Sequence, residues 1–290
     1  MKSKFALYLK LIRWDKPIGS LLLLWPTLWA LWLAASPALP RWDLVCVFVL
    51  GTFLMRSAGC AVNDVADRHF DAHVARTAGR VVATGQVTVR EALWVAAILA
   101  GAAGLLALCT LNRFALMLCV PALAVAITYP FFKRFFAVPQ AVLGVAFSFG
   151  IPMAYAATQN ATQYTLPAQC AWLFAANFAW VMAYDTAYAM ADKPDDARLG
   201  LRTSAIFFGR FDALAVAVFE ALFLGLVAAI LLQSQAGWAA WLGWACGALY
   251  AASLMPAVFT RDRAACFKAF LANSHVGMVI WLGFFVDGIL

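Results

Sequence analysis

Residues 44–71, LVCVFVLGTFLMRSAGCAVNDVADRHFD, decide the fold. The first part, 44–62, holds one charge, Arg56, and is long enough to cross a hydrocarbon layer of about 30 Å as a helix. The polarity then changes abruptly, and Asn63, Asp64, Asp67 and Asp71 follow within nine residues. One apolar run could be the buried helix of a soluble protein, but the whole composition argues otherwise. Hydrophobic residues make up 65% of the 290 and charged residues 12%, against about 45–50% and about 25% in soluble domains. A soluble chain of this size has too little interior to hide so much apolar surface, so lipid must be the main solvent. Disorder, a collagen-like fibre and a disulfide scaffold are excluded by the same figures. The seven cysteines form no CxxC pair and mostly sit in apolar runs, where Cys acts as a small hydrophobe. Neither a disulfide framework nor a thiolate metal site is expected.

Working outward, apolar stretches of about 20 residues give nine expected spans: 18–35, 44–62, 92–111, 114–130, 138–157, 168–190, 213–232, 237–258 and 274–290. The fold class expected is all-α, a polytopic membrane protein with nine transmembrane helices around a central cavity. Residues 1–290 read as a single domain. Trp25, Trp29 and Trp32 in the first span recur at i, i+4 and i+7, a shared face read as helix or lipid packing. The net charge of +7 assigns the sides. Of 21 Lys and Arg, 18 fall on the side of the N-terminus, among them Lys2. Only Arg41 and Arg113 fall opposite, and Arg56 lies within a span. The positive-inside rule then puts the N-terminus in the cytoplasm. Asn160-Ala161-Thr162, on the opposite side, fits a glycosylation sequon and is discounted as a common tripeptide. The excess charge needs no nucleic acid. The long connections, 63–91 and 191–212, are both cytoplasmic, and the chemistry is expected there because loops on a rigid scaffold carry function.

Seven of the 14 acidic residues sit in two short segments, 63–71 and 184–196. If the helices continue past the membrane, Asn63, Asp67 and Asp71 stack at i, i+4 and i+8. Asp185, Asp192 and Asp196 fall within about 40° of one another around a helix; Pro194 is expected to break or restart that helix. Carboxylates aimed at one spot repel unless a cation sits between them. Carboxylate and amide oxygens suit a hard ion, and Mg²⁺ binds one or two carboxylates together with substrate phosphates. His69 and His73, at i and i+4, raise zinc as an alternative; the surrounding carboxylates favour Mg²⁺, with the imidazoles solvated or hydrogen-bonded. Arg76, Arg80, Lys133, Arg134, Lys193, Arg198 and Arg202 crowd the same loops and are candidate phosphate partners, Arg134 and Arg76 foremost. Acids and bases at a lipid boundary call for a ligand with an anionic head and an apolar tail.

The segment N-D-x-x-D-x-x-x-D at 63–71, with D-x-x-x-D at 192–196, resembles the paired aspartate motifs of UbiA-type intramembrane prenyltransferases. The likeness is closer to the 4-hydroxybenzoate polyprenyltransferases of ubiquinone biosynthesis, through Asp15-Lys16-Pro17-Ile18-Gly19, Arg56-Ser57-Ala58-Gly59-Cys60, Tyr129-Pro130-Phe131 and Tyr184-Asp185-Thr186. The resemblance covers about residues 13–285 and implies nine helices. It also implies Mg²⁺-dependent transfer of a polyprenyl group from its diphosphate to the ring carbon ortho to the hydroxyl of 4-hydroxybenzoate, in a bacterial inner membrane with the active site facing the cytoplasm. By that resemblance Asn63, Asp67 and Asp71 hold one Mg²⁺ and Asp192 and Asp196 a second, while Asp64 orients a neighbour or a basic side chain. Tyr129, Tyr184 and Tyr188, with Asp185 beside them, are placed to shield an allylic cation with ring faces. One segment departs from the family: where R-P-L-P-S-G is usual, this chain reads Arg80-Val81-Val82-Ala83-Thr84-Gly85, and losing both prolines is expected to loosen the loop.

Arg56 is costly at its depth and is read as functional. It lies about 10 Å below Asn63 on the same face, either to bind the acceptor carboxylate or to pair with Glu220, the other mid-span charge. A cation transporter is the rival class, as is a related prenyltransferase with another aromatic acceptor. The acids do not form a chain through the membrane, which counts against the transporter.

Overall fold

The computed structural model describes residues 3–74, 76–132, 134–159 and 164–290. Lys2, Lys133 and Asn160-Ala161-Thr162 lie outside the described residues. Within them every regular element is helical. The order is α1 (Lys4–Leu11), α2 (Ile18–Ala35), α3 (Trp42–Ala66), α4 (Arg68–Asp71), α5 (Val89–Thr110), α6 (Arg113–Phe132), α7 (Pro139–Ser148) and α8 (Gly150–Thr158). There follow α9 (Ala168–Arg198), α10 (Ser204–Phe208), α11 (Asp212–Gln233), α12 (Trp238–Phe259) and α13 (Arg263–Asp287). Among the described residues, eight segments are long and apolar enough to cross a membrane: α2, α3, α5, α6, α7 with α8, α10 with α11, α12 and α13. The expected sixth span becomes α9, which at 31 residues is the longest helix and is not one of the eight. Gln169, Asn177, Tyr184 and Asp185 dilute its apolar character. Lipid does not demand otherwise, because α9 is the central helix, with Leu173, Trp180 and Tyr184 buried.

Two expectations are corrected. Pro194 does not break or restart the helix: α9 runs through it to Arg198. A proline interrupts the hydrogen bonds of the preceding turn, and this one lies in the last turns, where little helix remains to be lost. The last span starts at Arg263 rather than 274, because the Asp262 side chain caps it by accepting from the Ala265 N–H at 2.8 Å. Arg263 and Lys268 are therefore helical and not in a loop. The span expected at 138–157 is present as the apolar segment Pro139–Thr158, with a break at Phe149 between α7 and α8. There Gly150 leaves room for Thr27 of α2, whose hydroxyl a Cβ would strike.

The core is an aromatic column between α2, α9 and α13. Trp29 stacks near Phe223 at 5.7 Å and tilts against Trp180 at 5.2 Å. Three indole N–H groups find acceptors on α13: Trp25 on Ser274 Oγ (3.2 Å), Trp29 on the Gly277 carbonyl (3.1 Å) and Trp180 on Asn273 Oδ1 (3.0 Å). The shared tryptophan face of α2 thus packs against helices; the indole N–H groups of Trp25 and Trp29 are satisfied as burial requires, while that of Trp32 is buried without a partner. On the other side of the molecule α1 lays Leu7 and Leu11 against α3, α5 and the 76–88 segment. Val81, Val82 and Val87 are buried in that cluster, and the Val87 N–H donates to the Val81 carbonyl at 3.0 Å. Apolar anchors therefore hold the loop where the family pattern has prolines.

Helices α12 and α13 touch backbone to backbone at Gly243 and Gly283. A Cβ on Gly243 would lie 2.6 Å from the Gly283 Cα, the kind of close approach that small residues permit between membrane helices. Gly243→Val is expected to destabilise the protein by about 1–3 kcal/mol through overpacking. The check is thermal unfolding in detergent, and an unchanged midpoint would contradict the packing described.

Candidate active site

The acidic segments meet over a cavity of about 520 Å³. Helix α3 carries Asn63 in its last turn and ends at Ala66; Asp67 leaves the helix with φ −93° and ψ 2°, and α4 restarts at Arg68. The helix does not simply continue, yet its spacing survives. The Asp67 N–H donates to the Asn63 carbonyl and the Asp71 N–H to the Asp67 carbonyl, both at 2.9 Å. All three side chains line the cavity, and Asp185, Asp192 and Asp196 face it from α9. The two clusters, more than a hundred residues apart in sequence, are opposite walls of one space.

Two arginines from the connecting loop join those walls. Arg76 holds Asp192 through Nη2 at 2.5 Å and Nε at 3.2 Å, with its guanidinium 4.3 Å from the Tyr188 ring centre. Arg80 donates through Nη1 to Asp71 at 2.7 Å and lies 3.3 Å from Asp64. Burial raises the Asp71 carboxyl above its ordinary value; Arg80 opposes that rise and Asp67 adds to it. Burial works against the charge of Arg80 too, but Asp64 and Asp71 hold the guanidinium above its usual value. Asp64, only 1% exposed, pairs with Arg13 at 2.6 Å and so ties the N-terminal segment to the rim.

The other expected phosphate partners are placed elsewhere. Arg134 is exposed and donates to the Ala66 carbonyl at 3.2 Å, capping the end of α3. Lys193 is bound to Asp212 at 2.6 Å and the Gly209 carbonyl at 2.7 Å. Arg202 donates to the Phe135 carbonyl at 2.6 Å, and Arg198 is exposed at the end of α9. None of these four lines the cavity, whereas Arg76 and Arg80 do. Lys133 lies outside the described residues. Sequence reasoning missed Arg13 and Lys16, which were counted only for topology and which line the cavity beside Asp15. The signal was available, since Lys16 lies within the Asp15-Lys16-Pro17-Ile18-Gly19 segment and Arg13 two residues before it.

Deeper in the cavity are Arg56, Tyr129, Tyr184 and Tyr188. Arg56 does not pair with Glu220. Its Nε donates to the Gly19 carbonyl at 3.3 Å and its Nη1 to Cys60 Sγ at 3.1 Å, while both Glu220 oxygens are buried without a partner. Of the two mid-span charges, Arg56 lines the cavity and Glu220 does not.

Among the described residues, no three His, Cys, Asp or Glu side chains converge closely enough to hold a metal ion as they stand. His73 Nδ1 instead contacts the His69 carbonyl at 3.0 Å. The donor set at the rim nevertheless fits a hard cation. It is all oxygen, and Asn63 Oδ1 is buried with no hydrogen-bond partner. Such an orphaned oxygen is what a cation would satisfy.

An all-helical bundle with paired aspartate clusters over a lipid-level cavity defines the class, and the chain belongs to the UbiA prenyltransferase family, whose sequence profile matches residues 23–283. A 4-hydroxybenzoate octaprenyltransferase of Burkholderia vietnamiensis is 52% identical over 286 residues, covering 98% of this chain and 96% of its own. One of Aromatoleum aromaticum is 50% identical over 287 residues, covering 99% and 96%. Among solved structures, an apo UbiA homolog from Aeropyrum pernix K1 superposes with a TM-score of 0.81 at 24% identity, covering 94% of this chain and 98% of that one. A UbiA homolog from Archaeoglobus fulgidus bound to GPP and Mg²⁺ gives 0.66 at 15% identity, covering 98% and 100%. At those identities the structural likeness speaks for the fold.

Replacing Arg80 by Met would leave Asp71 and Asp64 without the charge they share. Breaking such a buried pair costs about 3–5 kcal/mol, so Arg80→Met should lower the unfolding temperature in detergent by several degrees. A midpoint equal to that of the parent would show that the bridge holds nothing together.

Proposed function

We propose that the protein transfers a polyprenyl chain from its diphosphate to the ring carbon ortho to the hydroxyl of 4-hydroxybenzoate, releasing diphosphate. One observation carries the reading. The cavity joins two aspartate clusters and two arginines at its rim to an aromatic, largely apolar interior, in a chain about half identical over nearly its whole length to proteins named for that activity. Asn63, Asp67 and Asp71 would hold Mg²⁺ on one wall, and Asp192 and Asp196 on the other. When bound, the ion neutralises the leaving diphosphate, which lets the allylic C–O bond ionise.

The remaining work falls to the chain itself. Arg76 and Arg80 are placed to fork onto diphosphate oxygens, releasing the carboxylates they now bridge. Tyr129, Tyr184 and Tyr188 line the space below, where their ring faces can attract the allylic cation. The cation adds to the acceptor ring, which then loses the proton from the carbon attacked. Asp185 lies beside Tyr184 at that level. Arg56, half-buried beneath the rim and bonded to the Gly19 carbonyl and Cys60, is assigned to the acceptor carboxylate. Counting α9 with the eight apolar segments gives nine crossings of a bacterial inner membrane in a single domain. The bias of Lys and Arg sets the N-terminus and the catalytic rim in the cytoplasm. Prenyl length follows from the cavity's apolar end and has no diagnostic residue.

Membranes carrying the protein, supplied with Mg²⁺, 4-hydroxybenzoate and octaprenyl diphosphate, should yield the ring-prenylated acid. Asp67→Asn and Asp192→Asn should each lower kcat by about 100-fold or more, and full turnover in both would end the metal assignment. In the same assay Arg56→Leu should raise the KM for 4-hydroxybenzoate about 30-fold or more, as loss of a buried charge partner does. The KM for the prenyl diphosphate should hardly move; an acceptor KM that stays put would remove Arg56 from that role.

A further inference from the structure

The Tyr184 side chain is 1% exposed and its hydroxyl has no hydrogen-bond partner. Buried hydroxyls are nearly always paired, because an unpaired one keeps its desolvation cost. Nothing about the ring's placement depends on the hydroxyl. The ring is held edge-on by Trp180 at 5.2 Å and tilted against Phe270 at 6.0 Å. Tyr184 lines the same cavity as Arg56.

The two residues lie at one depth. Arg56 precedes Asn63 by seven residues on α3, and Tyr184 precedes Asp192 by eight on α9. At about 1.5 Å per residue, that puts them about 10.5 Å and about 12 Å below the acidic rim. Both helices run toward the rim with their C-terminal ends, so Arg56 and Tyr184 line the same level of the cavity, one from α3 and the other from α9. Arg56 is within electrostatic range of the Tyr184 hydroxyl. Gly19 lets the guanidinium stand there: a Cβ at that position would lie 2.8 Å from Arg56 Nη2.

We propose that Tyr184 is an acceptor-binding residue, its hydroxyl donating a hydrogen bond to the ring-borne carboxylate that Arg56 holds, so that together they select benzoates over neutral phenols. The inference rests on the prenyl-transfer reading above and adds a second donor to it. A bidentate carboxylate has one oxygen for each group, and a site built this way rejects a ligand that leaves its buried donors unpaired. The role differs from cation shielding, which uses the ring face and survives removal of the hydroxyl.

Tyr184→Phe separates the two. With 4-hydroxybenzoate as acceptor, its KM should rise about 10- to 100-fold, the effect of losing a hydrogen bond to a charged group. The prenyl diphosphate KM and kcat should stay within about twofold. Benzoate, which keeps the carboxylate and lacks the phenol, should compete with 4-hydroxybenzoate in the parent protein, and its inhibition constant should rise by the same factor in the variant. Because the hydroxyl has no partner to lose, the ligand-free variant should unfold in detergent at the parent's temperature or higher. An unchanged acceptor KM, a fall in kcat alone, a benzoate constant that does not move, or a lower unfolding temperature would each overturn the proposal. If the parent does not prenylate 4-hydroxybenzoate at all, the functional reading fails and this inference falls with it. A parent that is active, with a variant that keeps the parent's acceptor KM, fails the inference alone.

Discussion

Carboxylates gathered at the edge of a membrane repel one another, and the fold around this cavity depends on how that repulsion is met. Two arginines on one short loop meet it. Arg76 reaches across to Asp192 on α9, and Arg80 is shared by Asp71 and Asp64 beside α3. In a setting poor in water such pairs matter more than they would on a solvated surface. They fasten the wall made by α3 and α4 to the wall made by α9. Arg13 extends the same network to the N-terminal segment through Asp64. The cations that hold the acids together are also the groups to which the proposed function assigns an anionic substrate head, so on that reading one set of charges serves assembly and binding.

Below that charged rim the problem is the opposite one, keeping polar atoms satisfied in an apolar bundle. The indole groups of Trp25, Trp29 and Trp180 solve it by bonding to α13, which fixes α2, α9 and α13 relative to one another. Exceptions to that rule carry information. Tyr184 and Asn63 line the cavity with an unpaired buried oxygen each, while Glu220 is unpaired away from it. The first two sit where a ligand would be; no function is assigned to the third.

Much of the site was legible because motif spacing and helix geometry agree. Asn63, Asp67 and Asp71 share a face by their i, i+4, i+8 spacing, and the backbone bonds keep that spacing even where α3 ends at Ala66. What was not legible is the fate of long flexible side chains. Among Arg76, Arg80, Arg134, Lys193, Arg198 and Arg202 the sequence put Arg134 and Arg76 foremost, yet Arg76 and Arg80 are the ones that line the cavity. Only their neighbours separate them: Arg134 finds a helix end, Lys193 finds Asp212, and Arg76 finds Asp192. Pro194 misled for a related reason, since its cost depends on how much helix follows it.

The sequence by itself determined that this chain lives in lipid, that its helices are long and apolar, and that its acids lie in two groups at the ends of two of them. Those properties are local or additive: apolar length, charge bias and helical spacing need no knowledge of the other elements. The tertiary structure decided the rest. It chose which helix is central, which two of the basic side chains enter the cavity from the loop, and that Arg56 lines the cavity with Tyr184 and does not pair with Glu220. Each of those depends on pairs far apart in the chain, and no periodicity encodes which distant surface a side chain will meet.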